Sequence, residues 1–362
     1  MFSSVTAQSY YLFTGTYTNG DSKGIYVNRF DVASGAITPV SVTEGIENPS
    51  FLAVSANGKY LYAVNENGGK KPGGVSAFVF DNKTGALKLL NQQTTSGDHP
   101  CYIATDKAGR WVFTGNYTGG NLSAFPLMPD GSLGKLAQLI NHKGKGATPR
   151  QDKPHVHSTI FTPDQKHLLV PDLGLDKIMI YEFNPGSKQP LKPAKIPSFR
   201  VADGHGPRHL SFHPTNPFVY VIEELSGTVT AFKYKGIHFT AIQTISSHPE
   251  NYNGAIGSAD IHISPDGKFL YATNRGDANS IAVFAIDQSS GKLTLKDVVS
   301  TLGKHPRNFT IEPTGKFVLV ANGDSNNVVV FSRDAATGLL TPHGEPYSVR
   351  SPVFLGLLKI DN

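Results

Sequence analysis

The 362-residue sequence has little cysteine, little charge and no long apolar run, and each shortage excludes a class of protein. The only cysteine, Cys101, excludes an intramolecular disulfide framework and any cysteine-based metal site. No apolar run approaches the length of a membrane-spanning helix. Only 17% of the residues are charged, and although the net charge is +5, no basic run is longer than Lys70-Lys71. We therefore expect neither nucleic acid nor a membrane as a partner.

Glycine and proline are plentiful, at 37 and 24 residues, which favours many short strands joined by tight turns. The sequence also repeats itself, because residues 48–65 closely match residues 258–274. Both segments contain two short strands around a turn in Asn-Gly or Asp-Gly. With Pro49 as the reference position, equivalent positions recur about every 50 residues, at Pro100, Val156, Pro207, Ser258, Pro306 and Pro352.

Each unit continues with a third and a fourth alternating strand, and four antiparallel strands in a unit of this length are typical of a propeller blade. The seventh unit is split, since residues 352–360 form a first strand with nothing after it, whereas residues 10–17 and 24–31 form later strands with nothing before them. The sequence therefore predicts an all-β, seven-bladed β-propeller with four strands per blade, closed by N- and C-terminal strands that share one blade. An open solenoid or a β-sandwich would leave an unpaired strand edge at each terminus.

Two positions in every unit are expected at one mouth of the central channel, because a two-strand hairpin begins and ends on the same side. One position follows the reference residue, and the other lies sixteen residues further along. The first ring of positions contains Ser50, Cys101, His157, Arg208, Ala259, Arg307 and Val353. The second ring, in the six complete units, contains Glu66, Tyr117, Leu173, Glu224, Arg275 and Gly323.

The convergence of one histidine, three arginines and two glutamates on a single rim predicts an active site there. The position just before the second ring is almost always Asn or Asp, which is typical of a side chain that caps a turn. Glu223 occupies that structural position, so Glu224 is the functional candidate. His155 and His209 alternate away from the ring residues, and we assign them to supporting hydrogen bonds around the substrate. The sequence shows no tight metal-ligand spacing, so we expect no metal and no cofactor.

The longest loops surround the same mouth and are expected to form a binding rim. They span residues 141–153, which include Lys143, Lys145 and Arg150, and residues 246–257.

The chain resembles the seven-bladed lactonase family, which contains the propeller-type 6-phosphogluconolactonase of bacteria and, more distantly, the fungal 3-carboxy-cis,cis-muconate lactonizing enzyme. The most specific motifs are Pro154-His-Val-His157, Pro171-Asp-Leu-Gly-Leu-Asp176, Gly206-Pro-Arg-His209, Glu224-Leu225 and Asn274-Arg-Gly276. The likeness covers nearly the whole chain. It implies that the catalytic residues are His157, Glu224, Arg208 and Arg275.

The leading hypothesis is a carboxylic-ester hydrolase that opens a small anionic sugar lactone, 6-phospho-D-glucono-1,5-lactone, to the free acid. Arginines suit phosphate through bidentate donation, and histidine with glutamate can activate water. The expected substrate-binding residues are Arg307, Glu66, Tyr117, His155 and His209. Two alternatives stay open: a cycloisomerase of carboxylated muconates that uses the same residues, and a non-catalytic propeller that binds a partner.

Residues 10–362 are predicted to form a single domain, and residues 1–9 to be either a disordered terminus or a signal-peptide remnant. The family default predicts a cytoplasmic protein, and an upstream signal sequence would make it periplasmic. We expect a monomer or a weak homo-oligomer.

Overall fold

The computed structural model describes residues 8–360, which form a ring of seven antiparallel sheets and confirm the predicted propeller. Blade 1 contains both ends of the described chain, and its strands are β1 (Ser9–Thr16), β2 (Gly24–Asp31), β3 (Ile37–Glu44) and the last strand of the chain, Pro352–Lys359. The strands of blades 2 to 4 are β4 (Leu52–Val54), β5 (Tyr60–Asn65), β6 (Gly74–Asp81), β7 (Ala86–Thr94), β8 (Pro100–Thr105), β9 (Trp111–Asn116), β10 (Asn121–Pro126), β11 (Gln138–Asn141), β12 (Ile160–Phe161), β13 (His167–Asp172), β14 (Lys177–Phe183) and β15 (Leu191–Arg200).

Blades 5 to 7 follow the same order, and the fourth strand of blade 7 is interrupted, so that two short strands pair with the third. Their strands are β16 (Pro207–Phe212), β17 (Phe218–Glu223), β18 (Thr228–Lys235), β19 (His238–Ser246), β20 (Ser258–Ile263), β21 (Phe269–Asn274), β22 (Ser280–Ile286), β23 (Leu293–Ser300), β24 (Pro306–Ile311), β25 (Phe317–Asn322), β26 (Asn327–Arg333), β27 (Leu340–Pro342) and β28 (Tyr347–Ser348), and the terminal strand of blade 1 is β29.

Strand β1 lies beside β29 and closes the ring, as the split repeat predicts. Tyr10 is opposite Lys359, and the antiparallel register runs on to Gly15 opposite Phe354. Residues 1–7, which contain most of the predicted terminal segment 1–9, lie outside the described residues, while Ser9 already belongs to β1.

Within residues 8–360 the hydrophobic core is divided into seven clusters, and each cluster lies between two neighbouring blades. Tyr220 and Phe284, for example, are fully buried between blades 5 and 6. The cluster between blades 7 and 1 contains Leu12 and Leu319, from opposite ends of the chain. Each blade of the described chain therefore packs against a neighbouring blade on both of its faces.

The innermost strands depart from regular alternation where they enter the channel. In β8, β16, β20 and β24 the register shifts just after the first residue, which is the signature of a β-bulge. In blade 4 the first strand is reduced to β12 and one isolated bridge, Val156 to Asp172. Ser158 lies in the gap, where its hydroxyl donates to the carbonyl of Arg208 in the next blade and not to its own sheet.

Helix is confined to two short 3-10 turns within the part of the chain that the structure describes, Pro149–Gln151 and Leu173–Leu175. No described helix is long and apolar enough to cross a membrane.

Candidate active site

The bulges of the inner strands bring pairs of adjacent side chains to the channel. In β16, Pro207 is opposite Glu223 and His209 is opposite Ile222, so Arg208 is the extra residue. A bulge re-aims side chains in this way. Strict alternation, which would turn His209 away from Arg208, is therefore wrong here: one guanidinium nitrogen of Arg208, Nη1, lies 3.3 Å from Nε2 of His209.

Glu224 lies in the mouth of the channel, where three guanidinium groups contact its carboxylate. Its Oε2 atom is 3.1 Å from Nε of Arg208 and 3.0 Å from Nη2 of Arg275, and its Oε1 atom is 3.0 Å from Nη2 of Arg150. Burial alone would raise the pKa of this carboxyl, but the arginines outweigh it and lower the pKa to about 2. Glu224 is therefore an anion at neutral pH.

His157 lies beside this cluster and is almost completely buried. Its Nε2 atom is 3.8 Å from Oε2 of Glu224, which is too long for a hydrogen bond but close for two charges. Its Nδ1 atom faces the thiol of Cys101 at 3.7 Å. Burial, reinforced by Arg208 and other nearby cations, holds the pKa of His157 well below 6.5. The imidazole is therefore neutral and able to accept a proton.

Arg208 is fully buried, and most of its guanidinium is held by the protein. Nε donates to Glu224, and Nη1 donates to the carbonyl of Ala259. Burial and the neighbouring arginines lower its pKa to about 9, so it is still a cation at pH 7. Its Nη2 atom has no hydrogen-bond partner among the described residues. This nitrogen is free to donate to a substrate oxygen.

Arg275 approaches Glu224 from blade 6 and is fixed by backbone. Its Nε atom donates to the carbonyl of Gly257 at 3.0 Å, and Nη2 donates to that of Ser258 at 3.3 Å. Gly257 ends the loop 246–257, so this part of the predicted rim does shape the mouth.

A second cluster lies across the mouth around Glu66. Its Oε2 atom accepts from the hydroxyl of Tyr17 at 3.0 Å and from Ser50, and it lies 3.5 Å from Nη2 of Arg307. The guanidinium of Arg307 also lies 5.5 Å from the ring centre of Tyr17, as a cation–π contact. Tyr17 and Glu66 raise the pKa of Arg307 against the opposing effect of burial. Arg307 and Glu66 therefore balance each other in charge.

Tyr117 and His155 form a wall between Arg150 and His157. The two rings stack with centres 4.5 Å apart, and Nδ1 of His155 is 3.1 Å from the carbonyl oxygen of Tyr117. The hydroxyl of Tyr117 accepts from Nη2 of Arg150 at 3.1 Å. His155 thus supports Tyr117 by stacking and hydrogen bonding.

Asp260 connects His209 to the deeper channel, and the sequence did not single it out. Its Oδ1 atom is 2.8 Å from Nδ1 of His209, while Oδ2 is 2.9 Å from Nε2 of His262 and also accepts from Asn308. Burial and Arg208 lower the pKa of His209 to about 4. A neutral His209 then donates from Nδ1 to Asp260 and offers Nε2 to Arg208.

The residue just before each second-ring residue has a structural role, as predicted. Its six side chains are buried. Asn274, for example, donates to the carbonyl of Ser247, on the segment that enters its blade. Glu223 accepts from Thr228 and lies 2.6 Å from Nδ1 of His205, away from the mouth. The six residues are Asn65, Asn116, Asp172, Glu223, Asn274 and Asn322.

The structure thus brings together all nine residues that the sequence assigned to catalysis or binding, and it adds three. Arg150 lies on the predicted rim loop, but the sequence assigns it no role there. Tyr17 follows β1 as Glu66 follows β5, so continuing the second ring across the chain termini would have identified it. Asp260 follows Ala259 in a bulge, which the repeat alone does not reveal.

Within residues 8–360, no group of three His, Cys, Asp or Glu side chains could hold a metal ion.

Comparison with known proteins agrees with this geometry. A family model described as "Lactonase, 7-bladed beta-propeller" matches residues 11–356. The 6-phosphogluconolactonase of Bacillus subtilis is 38% identical over 348 residues, which cover 96% of this chain and 97% of that protein. The 6-phosphogluconolactonase of Formosa agariphila is 40% identical over 314 residues, which cover 86% and 89%.

A solved structure gives the same result in three dimensions. The periplasmic gluconolactonase of Pseudomonas aeruginosa is 37% identical and superimposes with a TM-score of 0.93, covering 98% of this chain and 100% of that one. The chain therefore belongs to the seven-bladed β-propeller lactonase family.

Proposed function

We propose that this lactonase hydrolyses 6-phospho-D-glucono-1,5-lactone to 6-phosphogluconate. Two relatives that match most of the chain bear the name 6-phosphogluconolactonase. The observation that carries the proposal is the composition of the mouth, where a neutral imidazole lies beside a carboxylate that binds three guanidinium groups. Such a site can activate water and can stabilise negative charge on a substrate.

His157 is the base in this mechanism. Its low pKa keeps the imidazole unprotonated, so Nε2 can take a proton from the water that attacks the lactone carbonyl carbon. Glu224, 3.8 Å away, stabilises the imidazolium that this transfer creates. The proton then passes to the ring oxygen as the bond between the carbonyl carbon and that oxygen breaks, which leaves the open hydroxy acid.

Arg208 stabilises the oxyanion that forms on the carbonyl oxygen. Its Nη2 atom has no hydrogen-bond partner within residues 8–360, while the rest of the guanidinium is held by Glu224 and Ala259. A donor fixed before the reaction costs no reorganisation in the transition state. Arg275, held by the carbonyls of Gly257 and Ser258, keeps Glu224 in place from the other side.

The test is acid release followed in a pH-stat, with spontaneous hydrolysis subtracted, for 6-phospho-D-glucono-1,5-lactone and for glucono-1,5-lactone. The proposal predicts acceleration of both lactones and a higher kcat/KM for the phosphorylated one. A 3-carboxymuconate, followed by loss of its ultraviolet absorbance, is the comparison substrate. Turnover of the muconate with no acceleration of either lactone would replace the proposal by the cycloisomerase alternative.

A further inference from the structure

The charges at the mouth are unevenly divided between its two clusters. Arg307 is matched by Glu66, whereas Glu224 alone faces three guanidinium groups, so its cluster has a surplus of two positive charges. A phosphate monoester carries between one and a half and two negative charges at pH 7. The surplus therefore matches the group that would distinguish a phosphorylated lactone from an unphosphorylated one.

Only one of the three guanidinium groups that contact Glu224 is free to move towards a substrate phosphate. Arg208 and Arg275 are anchored to backbone carbonyls, and their side chains are 1% and 13% exposed. The Arg150 side chain is 60% exposed, and its hydrogen-bond partners in the described part of the chain are both side chains. Both partners, Tyr117 and Glu224, are reached through the same nitrogen, Nη2. Its Nε and Nη1 atoms have no hydrogen-bond partner among residues 8–360, so a free donor lies on each side of Nη2.

The backbone at Arg150 is fixed, although the end of its side chain is exposed. The next residue, Gln151, is completely buried, and its Nε2 atom donates to the carbonyl of Leu173 at 2.8 Å and to Asp176 at 2.7 Å. Its Oε1 atom accepts from the backbone amides of Ala147 and Thr148. Arg150 therefore leaves a rigid turn at a defined point on the rim, and only its long side chain has freedom.

We propose that Arg150 is the residue that selects for the phosphate of the substrate, which it binds through one unused nitrogen of its guanidinium together with Nη2, after Nη2 has left Glu224. This inference rests on the proposed function and names the phosphate contact within it. The Arg150 side of this ion pair is exposed, and Arg208 and Arg275 still hold Glu224, so exchanging the Glu224 contact for a phosphate costs little. Arginine can hold two phosphate oxygens in one planar fork, a geometry that lysine lacks. Arg307, one of the expected substrate-binding residues, is less suited to the phosphate because Glu66 already neutralises it.

The experiment compares the ratio of kcat/KM for the phosphorylated lactone to kcat/KM for glucono-1,5-lactone in wild type, Arg150→Gln, Arg150→Lys and Lys70→Gln. Lys70 is exposed on the loop between β5 and β6, outside the predicted rim loops, so its substitution controls for the loss of one positive charge. We expect Arg150→Gln to lower the ratio by about 10- to 100-fold, mainly through KM, because a charge-assisted contact to the substrate is lost. Arg150→Lys should fall in between, and Lys70→Gln should stay within about twofold of wild type.

The inference is overturned if Arg150→Gln leaves the ratio unchanged, or if it slows both lactones equally, since Arg150 would then act only through Glu224. It is also overturned if Lys70→Gln lowers the ratio as much, because the effect would then be general electrostatic attraction. A wild-type protein that accelerates neither lactone would instead refute the proposed function. Thermal unfolding of each variant shows whether the fold is intact.

Discussion

At the scale of single residues, two adjacent glutamates show how position decides chemistry. Glu223 ends β17 and its side chain accepts from Thr228, whereas Glu224 is one residue further and faces the mouth. Because successive residues of an extended chain point to opposite sides, a shift of one residue exchanges the two roles. The environment, and not the residue type, makes one of them structural and the other functional.

His157→Ala and Arg208→Ala should both lower turnover, for different reasons. Loss of the base is expected to reduce kcat by about two to four orders of magnitude. Loss of the oxyanion donor is expected to reduce it by about two to three orders of magnitude. Steady-state rates with 6-phospho-D-glucono-1,5-lactone measure both effects. A His157→Ala enzyme with wild-type kcat would assign the base to another residue.

The pH dependence of the reaction tests the protonation state of His157. The neutral imidazole is the active form, and a depressed pKa keeps it neutral as the pH falls through 6.5. The acid limb of kcat/KM should therefore lie below 6.5. Glucono-1,5-lactone is the suitable substrate, because a phosphate monoester titrates near pH 6 itself. An acid limb at or above 6.5 would mean that His157 is not the titrating base or is not desolvated.

At the scale of elements, Asp260 links the inner strands of neighbouring blades. Its carboxylate contacts His209 on β16 and Asn308 on β24, and Asn308 accepts from the backbone amide of Leu355 on β29. Four neighbouring blades are thereby connected. Burial opposes ionisation of Asp260, but His262 and His209 hold its pKa well below the usual range.

Asp260→Ala should therefore destabilise the propeller, because it removes a buried charge and leaves several donors without an acceptor. Breaking a buried pair of this kind costs about 3–5 kcal/mol. The free energy of unfolding from denaturant titration at pH 7 measures it. Glu345→Ala, at an exposed residue, is the control and should change stability by less than about 0.5 kcal/mol. An equal effect of the two substitutions would show that Asp260 does not join the blades.

The repeat predicted the blades and both rings because it depends only on spacing and strand patterning. The same spacing could not reveal His209 beside Arg208, since a bulge inserts one residue without a clear sequence signal. It also could not reveal that β12 is short, or that Ser158 contacts the neighbouring blade. Tyr17 was within reach of the sequence, whereas Asp260 required the bulge to be seen.

At the scale of the whole molecule, the ring depends on the pairing of its two ends. The amide of Ile360 donates to the carbonyl of Ser9, so the ends of the described chain are adjacent in blade 1. Seven clusters between blades then form a closed set, in which each blade is packed on both sides. Closure of this kind removes exposed sheet edges.

A circular permutant tests this closure. Joining residues 8 and 360 by a short glycine–serine linker and opening the chain between Lys188 and Gln189, in an exposed turn of blade 4, keeps every strand pair. The permutant should keep wild-type activity and unfold at no lower temperature. A chain that ends at Ser351 lacks β29 and should lose cooperative unfolding in calorimetry. A truncated chain as stable as the full one would contradict the closure.

The initial rate of 6-phospho-D-glucono-1,5-lactone hydrolysis by wild type, Glu224→Gln and Glu223→Gln, measured side by side, tests whether Glu224 acts in catalysis while Glu223 does not. Wild type should accelerate hydrolysis clearly, Glu224→Gln should lose about tenfold or more in kcat, because the charge that stabilises the imidazolium is removed, and Glu223→Gln should keep near wild-type kcat. The reverse order of the two variants, or no acceleration by wild type, would contradict these roles.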